Sequence, residues 1–137
     1  MNITRDVFKK IILLSVVVTF GGIASEYLPF LSDYGVLREQ LHQGYISKVI
    51  GHGIVEISIM VILLLTYLIS LILLYFFKPI GRPIYLVTFL LTIVYLMTAG
   101  DIIQYSILYP LDILGSFLEI FILYLIYFTK LKMEFDK

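Results

Sequence analysis

Residues 51–77 read GHGIVEISIMVILLLTYLISLILLYFF, and this stretch decides the fold class of the chain. Glu56 is the one Asp, Glu, Lys or Arg that it contains. At about 1.5 Å per residue, the part from Ile54 to Phe77 forms a helix of roughly 36 Å, which exceeds a hydrocarbon core about 30 Å thick. The stretch therefore predicts a transmembrane helix, and the rest of the sequence is interpreted around it.

The composition of the whole chain agrees with this interpretation. It is 61% hydrophobic and 15% charged, with a mean hydropathy of +1.02, whereas soluble domains have about 45–50% apolar and about 25% charged residues. There is no cysteine, which excludes disulfides and cysteine-ligated metals. Because the net charge is zero, we expect no nucleic-acid partner. The sequence also contains no phosphate-binding loop and no catalytic motif.

Four apolar stretches predict four transmembrane helices, at about residues 8–25, 50–77, 84–103 and 110–129. Two prolines and a glycine between the second and third stretches predict a tight turn, so these two helices should be antiparallel neighbours. The polar segment 26–48 predicts an outer loop with a short amphipathic helix. The expected fold is all-α, a single four-helix transmembrane domain over residues 1–137. A cleavable signal peptide is the alternative interpretation of the first stretch.

The basic residues predict the orientation of the bundle. Eight of the ten Lys and Arg residues lie in the two termini and in the turn between the second and third helices. The other two, Arg38 and Lys48, lie in the polar segment. By the positive-inside rule, both termini should be cytoplasmic. We therefore expect an integral membrane protein surrounded by membrane lipids, most simply in a prokaryotic plasma membrane.

Glu119 is the acidic residue that most needs an explanation. It lies 11 residues before Lys130, roughly 16 Å into the fourth helix and close to the bilayer midplane. A carboxylate at this depth costs at least about 2.5–3.5 kcal/mol on insertion scales, so it should face the bundle and either pair or stay protonated. Asp112, Ser116 and Glu119 share one stripe of the fourth helix. Together with Glu56 they predict a polar seam between the second and fourth helices.

This polar seam has two interpretations. In the functional one, Glu119 lies at the bottom of a proton, ion or headgroup site. In the structural one, tyrosine or serine hydroxyls or a partner subunit satisfy its carboxyl group. The tyrosines of the predicted helices are interpreted as packing and interfacial-belt residues rather than as a quinone site.

A second candidate site lies at the outer membrane interface and comprises His52, Glu26 and Asp101. His52 and Glu56 lie four residues apart and so on one helical face, which is a possible spacing for two metal ligands. Two ligands are too few to hold a metal ion, so no metal site is predicted. Gly21 and Ser25 form a small-xxx-small pair that would let another helix approach closely. Flexibility near a helix end is the alternative interpretation of this pair.

The order of these features is similar to that of a known family. A basic residue leads into the first helix at residues 10–11, and this helix ends in small residues at 21–22. A polar outer loop follows. The second helix then opens with Gly51 and Glu56 and is followed by a short basic turn. This arrangement resembles the DoxX-like small four-helix membrane proteins over most of the chain. A lysine that the family carries after the first helix has no clear counterpart in residues 25–27.

Three functions follow from these observations. The first is a non-catalytic integral membrane subunit of a larger complex, and the resemblance implies a respiratory or quinone-linked one. The second is a small homo-oligomeric ion or proton channel or transporter that uses Glu119, Asp112 and Glu56. The third is a membrane enzyme that acts on lipid or quinone at the outer interface, with His52, Glu56 and Asp101 as acid–base groups. The expected partners are other membrane subunits or further copies of this chain, and the sequence identifies no cofactor.

Overall fold

The computed structural model describes residues 3–25, 54–98 and 109–135, which fold into helices. In chain order these are α1 (Arg5–Ser25), α2 (Ile54–Tyr75), α3 (Gly81–Thr98), α4 (Tyr109–Phe128) and a C-terminal 3₁₀ helix (Lys130–Glu134). The all-α class and the four long helices are therefore confirmed. The predicted amphipathic helix of the polar segment lies outside the described residues, as do His52, Glu26 and Asp101.

Three of the helices are long and apolar enough to cross a membrane, namely α1 over Arg5–Ala24, α2 over Ile57–Tyr75 and α4 over Pro110–Phe128. The third helix, α3, is apolar over the shorter range Gly81–Met97. It was predicted to continue to residue 103, but the described part of this helix ends at Thr98. At its other end α3 begins three residues earlier than predicted, because Pro83 fits into its first turn.

The turn between α2 and α3 begins with a left-handed residue. Phe77 has φ = 54°, its N–H donates to the Leu74 carbonyl at 3.0 Å, and the Lys78 N–H donates to the Leu73 carbonyl at 2.8 Å. These two bonds form the Schellman motif that satisfies the last carbonyls of a helix, usually with glycine at the left-handed position. A phenylalanine there costs about 1–2 kcal/mol of backbone strain, so its side chain must be held by other contacts.

Gly81 lets the start of α3 lie directly against the end of α2. A Cβ atom added at Gly81 would lie 2.9 Å from the Leu73 Cβ atom and 3.0 Å from the Leu74 backbone nitrogen. The helix backbone cannot move away from such a contact without losing hydrogen bonds. The short connection thus makes α2 and α3 antiparallel neighbours with extensive contacts, as the sequence predicts.

The four helices form a ring in which α1 contacts α2 and α4, and α3 contacts α2 and α4. The buried hydrophobic residues are concentrated where α1 and α3 begin and α2 and α4 end. We call this the basic end, because Arg5, Lys9, Lys78, Arg82 and Lys130 all lie there. Toward the opposite end of the helices, large side chains such as Met97 are exposed.

The C-terminal 3₁₀ helix folds back and covers the basic end. The Thr129 hydroxyl accepts a hydrogen bond from the Leu131 N–H at 3.3 Å and starts this helix. Leu131 and Phe135 are both almost fully buried, with 3% and 1% of their surface exposed. The Phe135 ring contacts the Phe8 and Phe77 rings, with centroids 6.1 and 5.1 Å apart.

A salt bridge joins the two ends of the described chain at this cover. Arg5 donates two hydrogen bonds to the Glu134 carboxylate, and its guanidinium lies 5.2 Å from the centroid of the Phe77 ring. Arg82 lies over the Phe135 ring at 5.8 Å. These contacts hold the strained Phe77 in place and fasten the C-terminal helix to the start of α1.

Candidate functional site: the tyrosine–glutamate cluster

Four polar side chains meet between the helices, one from each. They are Ser15 of α1, Tyr67 of α2, Tyr85 of α3 and Glu119 of α4, and we call them the tyrosine–glutamate cluster. Three of the four lie near the middle of their helices, and Tyr85 lies in the second turn of α3. Ser15 and Tyr85 are each 1% exposed, whereas Tyr67 and Glu119 are half-buried.

Tyr67 is the centre of the cluster. Its hydroxyl oxygen lies 2.8 Å from the Ser15 Oγ atom, and its ring lies against the Tyr85 ring, with centroids 5.8 Å apart and a tilt of 35°. Thr19, one turn after Ser15, donates to the Ser15 carbonyl at 2.9 Å and also interacts with the Tyr67 hydroxyl. Tyr67 therefore connects α1, α2 and α3 through one side chain.

Glu119 joins α4 to this group in two ways. Its backbone carbonyl accepts a hydrogen bond of 3.3 Å from the Tyr85 hydroxyl. Its carboxyl group interacts with the Tyr67 hydroxyl and is an electrostatic neighbour of the Tyr85 hydroxyl. A tyrosine hydroxyl has one hydrogen to donate. Either Tyr67 or Ser15 can therefore be the donor in the 2.8 Å bond that joins their hydroxyls.

Most other buried hydroxyls are used within their own helices. Ser70 donates to the Tyr67 carbonyl at 2.6 Å, Thr88 to the Ile84 carbonyl at 2.9 Å and Thr92 to the Thr88 carbonyl at 3.0 Å. Such bonds to the preceding turn satisfy a hydroxyl without joining two helices. Ser15 differs from them because its hydroxyl reaches across to α2. Ser15, Tyr67, Tyr85 and Glu119 therefore provide hydrogen bonds that join different helices.

The residues of the predicted polar seam lie in different surroundings. Asp112 and Ser116 are exposed on the surface of α4, so they do not continue the cluster into the bundle. Glu56 belongs to α2, but its side chain lies outside the described residues. Furthermore, α2 and α4 lie diagonally across the ring of helices, and it is the tyrosines of α2 and α3 that reach Glu119.

Sequence reasoning missed Tyr67 and Tyr85 because both were interpreted as packing or belt residues. A signal for Tyr67 was present in the chain. Tyr67 lies 11 residues before Lys78, just as Glu119 lies 11 residues before Lys130. The same depth count that singled out the glutamate also places a tyrosine at its level, too deep for an interfacial belt.

The cluster can hold and orient a proton, and it can join helices. The Glu119 carboxyl group, the Tyr67 hydroxyl and the Ser15 hydroxyl follow one another in space from α4 to α1. Such a succession offers a short path for a proton. Within residues 3–25, 54–98 and 109–135, no three His, Asp or Glu side chains lie close enough together to bind a metal ion. The described part of the cluster therefore supports proton or hydrogen-bond chemistry.

The comparisons with known proteins add no family to this description. No protein-family model, no curated protein and no solved structure matches the chain.

Proposed function

We propose that this protein crosses the membrane four times, with the basic end and both termini in the cytoplasm, and that it acts as a non-catalytic subunit of a larger membrane complex. The placement of eight of the ten Lys and Arg residues supports the orientation. The resemblance to the DoxX-like proteins suggests a respiratory or quinone-linked complex. The surrounding lipids and other membrane chains are the proposed partners.

The observation that carries this proposal is that the intramembrane glutamate has partners within its own chain. Glu119 interacts with Tyr67 through its carboxyl group and accepts a bond from Tyr85 at its carbonyl. Hydrogen bonds between transmembrane helices contribute about 0.6 kcal/mol each on average, and the cluster contains two, Ser15–Tyr67 and Tyr85–Glu119. Among the described residues, Glu119 is thus engaged in contacts between helices.

A glycine on the outside of α1 supports association with a further membrane chain. Gly21 is exposed, and no described atom outside its own helix backbone lies within 4 Å of the position that its Cβ would take. Small residues in membrane helices allow another backbone to approach closely. Because the described bundle does not use Gly21 for such a contact, this position suits a helix of another subunit.

Purification from native membranes in a mild detergent tests the proposal. We expect the 15.8 kDa chain to elute in a larger particle with at least one other membrane protein in a fixed ratio. Gly21→Leu should release the chain from this particle without changing the stability of the isolated bundle. Ile23→Phe, which adds bulk on the other side of α1, is the control and should leave the particle intact. Elution of the unmodified protein as a stable monomer with its own activity would contradict the proposal.

A homo-oligomeric proton channel or transporter is the second candidate. The observation that favours it is that the Ser15 and Tyr67 hydroxyls are hydrogen-bonded at 2.8 Å and that the Glu119 carboxyl group lies beside Tyr67. Such a protein should conduct protons in liposomes that contain no other chain, and Glu119→Gln should abolish the flux. The third function, an enzyme at the outer interface, depends on His52, Glu26 and Asp101 and remains a prediction from the sequence.

A further inference from the structure

A narrow apolar groove of about 330 Å³ runs between α1 and α2 near the basic end. Pockets that bind small ligands have volumes of about 300–1,000 Å³, so the groove is of a size to hold one. Its main lining residues are Ile12, Leu13, Val16, Leu68, Leu71 and Ile72. The floor is well packed, because Ile12 and Leu71 are only 2% and 1% exposed. At the basic end the groove reaches Tyr75 and Phe76, and its lining is apolar throughout.

A lysine stands where the groove meets the basic end. Lys9 precedes Ile12, Leu13 and Val16 by three, four and seven residues, so it lies on the face of α1 that lines the groove. Its Nζ atom lies 4.9 Å from the centroid of the Tyr75 ring. An ammonium group has three N–H donors, and a ring face leaves donors available for an anion. In the described part of the chain, the salt bridge at this end is that of Arg5 with Glu134 and does not involve Lys9.

We propose that the groove binds one acyl chain of an anionic glycerophospholipid, with the lipid phosphate at Lys9. An apolar slot that ends at a cation matches the order of parts in such a lipid. Lys10 and Lys78 are exposed at the same end and increase the attraction for negative charge. The lipid comes from the leaflet on the side of the basic end, which is the cytoplasmic leaflet in the orientation proposed above.

The dimensions of the groove favour a lipid chain over a helix of another protein. The lining extends over roughly 12 Å of helix between Leu68 and Phe76. A partner helix that crosses a membrane about 30 Å thick would contact this short segment with only about two of its turns. A single hydrocarbon chain can enter the groove and contact its floor at Leu71.

This inference depends on the proposed membrane insertion but not on the proposed role as a subunit. Lipid binding is measured on the purified full-length chain, so loss of the partner proteins does not affect the result. A separate measurement of the orientation, by the reactivity of a cysteine introduced at Lys130 in intact cells, tests the membrane topology. The two results can therefore fail independently.

Native mass spectrometry with matched lipids tests the proposal. The protein is incubated with phosphatidylglycerol or phosphatidylcholine that carry the same palmitoyl and oleoyl chains. We expect one phosphatidylglycerol molecule to be retained preferentially, by about fivefold, the factor expected for one lysine at an anionic surface. Lys9→Gln should remove this preference, whereas Lys10→Gln, with the same change of charge on another face of α1, should largely keep it. Leu13→Trp should fill the groove and reduce retention of both lipids.

Three results would overturn the proposal. Equal retention of the two lipids would show that the net negative charge of the headgroup is not recognised. Equal losses in Lys9→Gln and Lys10→Gln would indicate diffuse attraction to the whole basic end. Unchanged retention in Leu13→Trp, with the helical circular-dichroism spectrum of the unmodified protein, would show that the bound lipid lies outside the groove.

Discussion

Replacing Tyr67 with phenylalanine isolates the hydroxyl at the centre of the tyrosine–glutamate cluster. The ring and its contact with Tyr85 are kept, but the hydrogen bond to Ser15 is lost, as is the polar group beside the Glu119 carboxyl group. Hydrogen bonds between membrane helices average about 0.6 kcal/mol and reach about 1.7 kcal/mol. With the bond to Ser15 removed, we expect Tyr67→Phe to lower the free energy of unfolding by about 0.6–1.7 kcal/mol.

The measurement is reversible unfolding in mixed micelles, with increasing fractions of a denaturing detergent and helicity followed by circular dichroism. Tyr124→Phe is the matched control, because Tyr124 is exposed and lies stacked on Phe128, and it should stay within about 0.5 kcal/mol of the unmodified protein. A double-mutant cycle with Ser15→Ala should give a coupling energy of about 0.6–1.7 kcal/mol. Equal stabilities of Tyr67→Phe and Tyr124→Phe would refute the assignment of the cluster as the link between the helices.

Three further predictions concern the turn between α2 and α3 and the C-terminal 3₁₀ helix that covers the basic end. The same unfolding assay checks them. Gly81→Ala should cost about 1–3 kcal/mol, because the new Cβ meets the α2 backbone. Gly21→Ala has open space and should be neutral or stabilising by up to about 1 kcal/mol, so equal effects at the two glycines would contradict the close approach of α3 to α2. Phe77→Gly and Phe77→Ala lose the same ring contacts, but only glycine removes the strain of the left-handed backbone. The glycine variant should therefore be more stable than the alanine variant by about 1 kcal/mol. The reverse order would argue against strain at this position. Glu134→Gln breaks a partly exposed salt bridge with Arg5 and should lower the free energy of unfolding by at most about 1 kcal/mol. This loss should disappear at about 1 M salt, because the screening length is then about 3 Å. A cost that salt does not change would point to packing instead of charge.

The sequence predicted the features of the fold that depend on local composition. Long apolar runs separated by proline, glycine and charged residues predict the helices, and the short connection before Gly81 predicts the antiparallel pair of α2 and α3. The ends of the helices were less accurate. The second helix was predicted to reach Phe77 but ends at Tyr75, because Phe77 adopts the left-handed conformation that closes the helix.

The faces of the helices could not be predicted in the same way. In a helix that is apolar on all sides, the pattern that distinguishes buried from exposed positions is weak. Tyr67 and Tyr85 therefore looked like any other aromatic residue of an apolar run, although they determine the surroundings of Glu119. The C-terminal cover was missed for a related reason. Leu131 lies between Lys130 and Lys132, beyond the fourth apolar stretch that was predicted to end at about residue 129.

The most direct test of the account is Glu119→Gln, measured in two assays on the same preparation. Glutamine keeps the size and the carbonyl oxygen that can accept a bond from Tyr67, but it cannot exchange a proton at neutral pH. If the cluster is a structural link, the variant should still assemble into the larger particle, and liposomes with the unmodified protein alone should show no proton flux above empty liposomes. Proton flux in liposomes with this chain alone that disappears in Glu119→Gln, while folding is unchanged, would contradict the account and establish the cluster as a proton path.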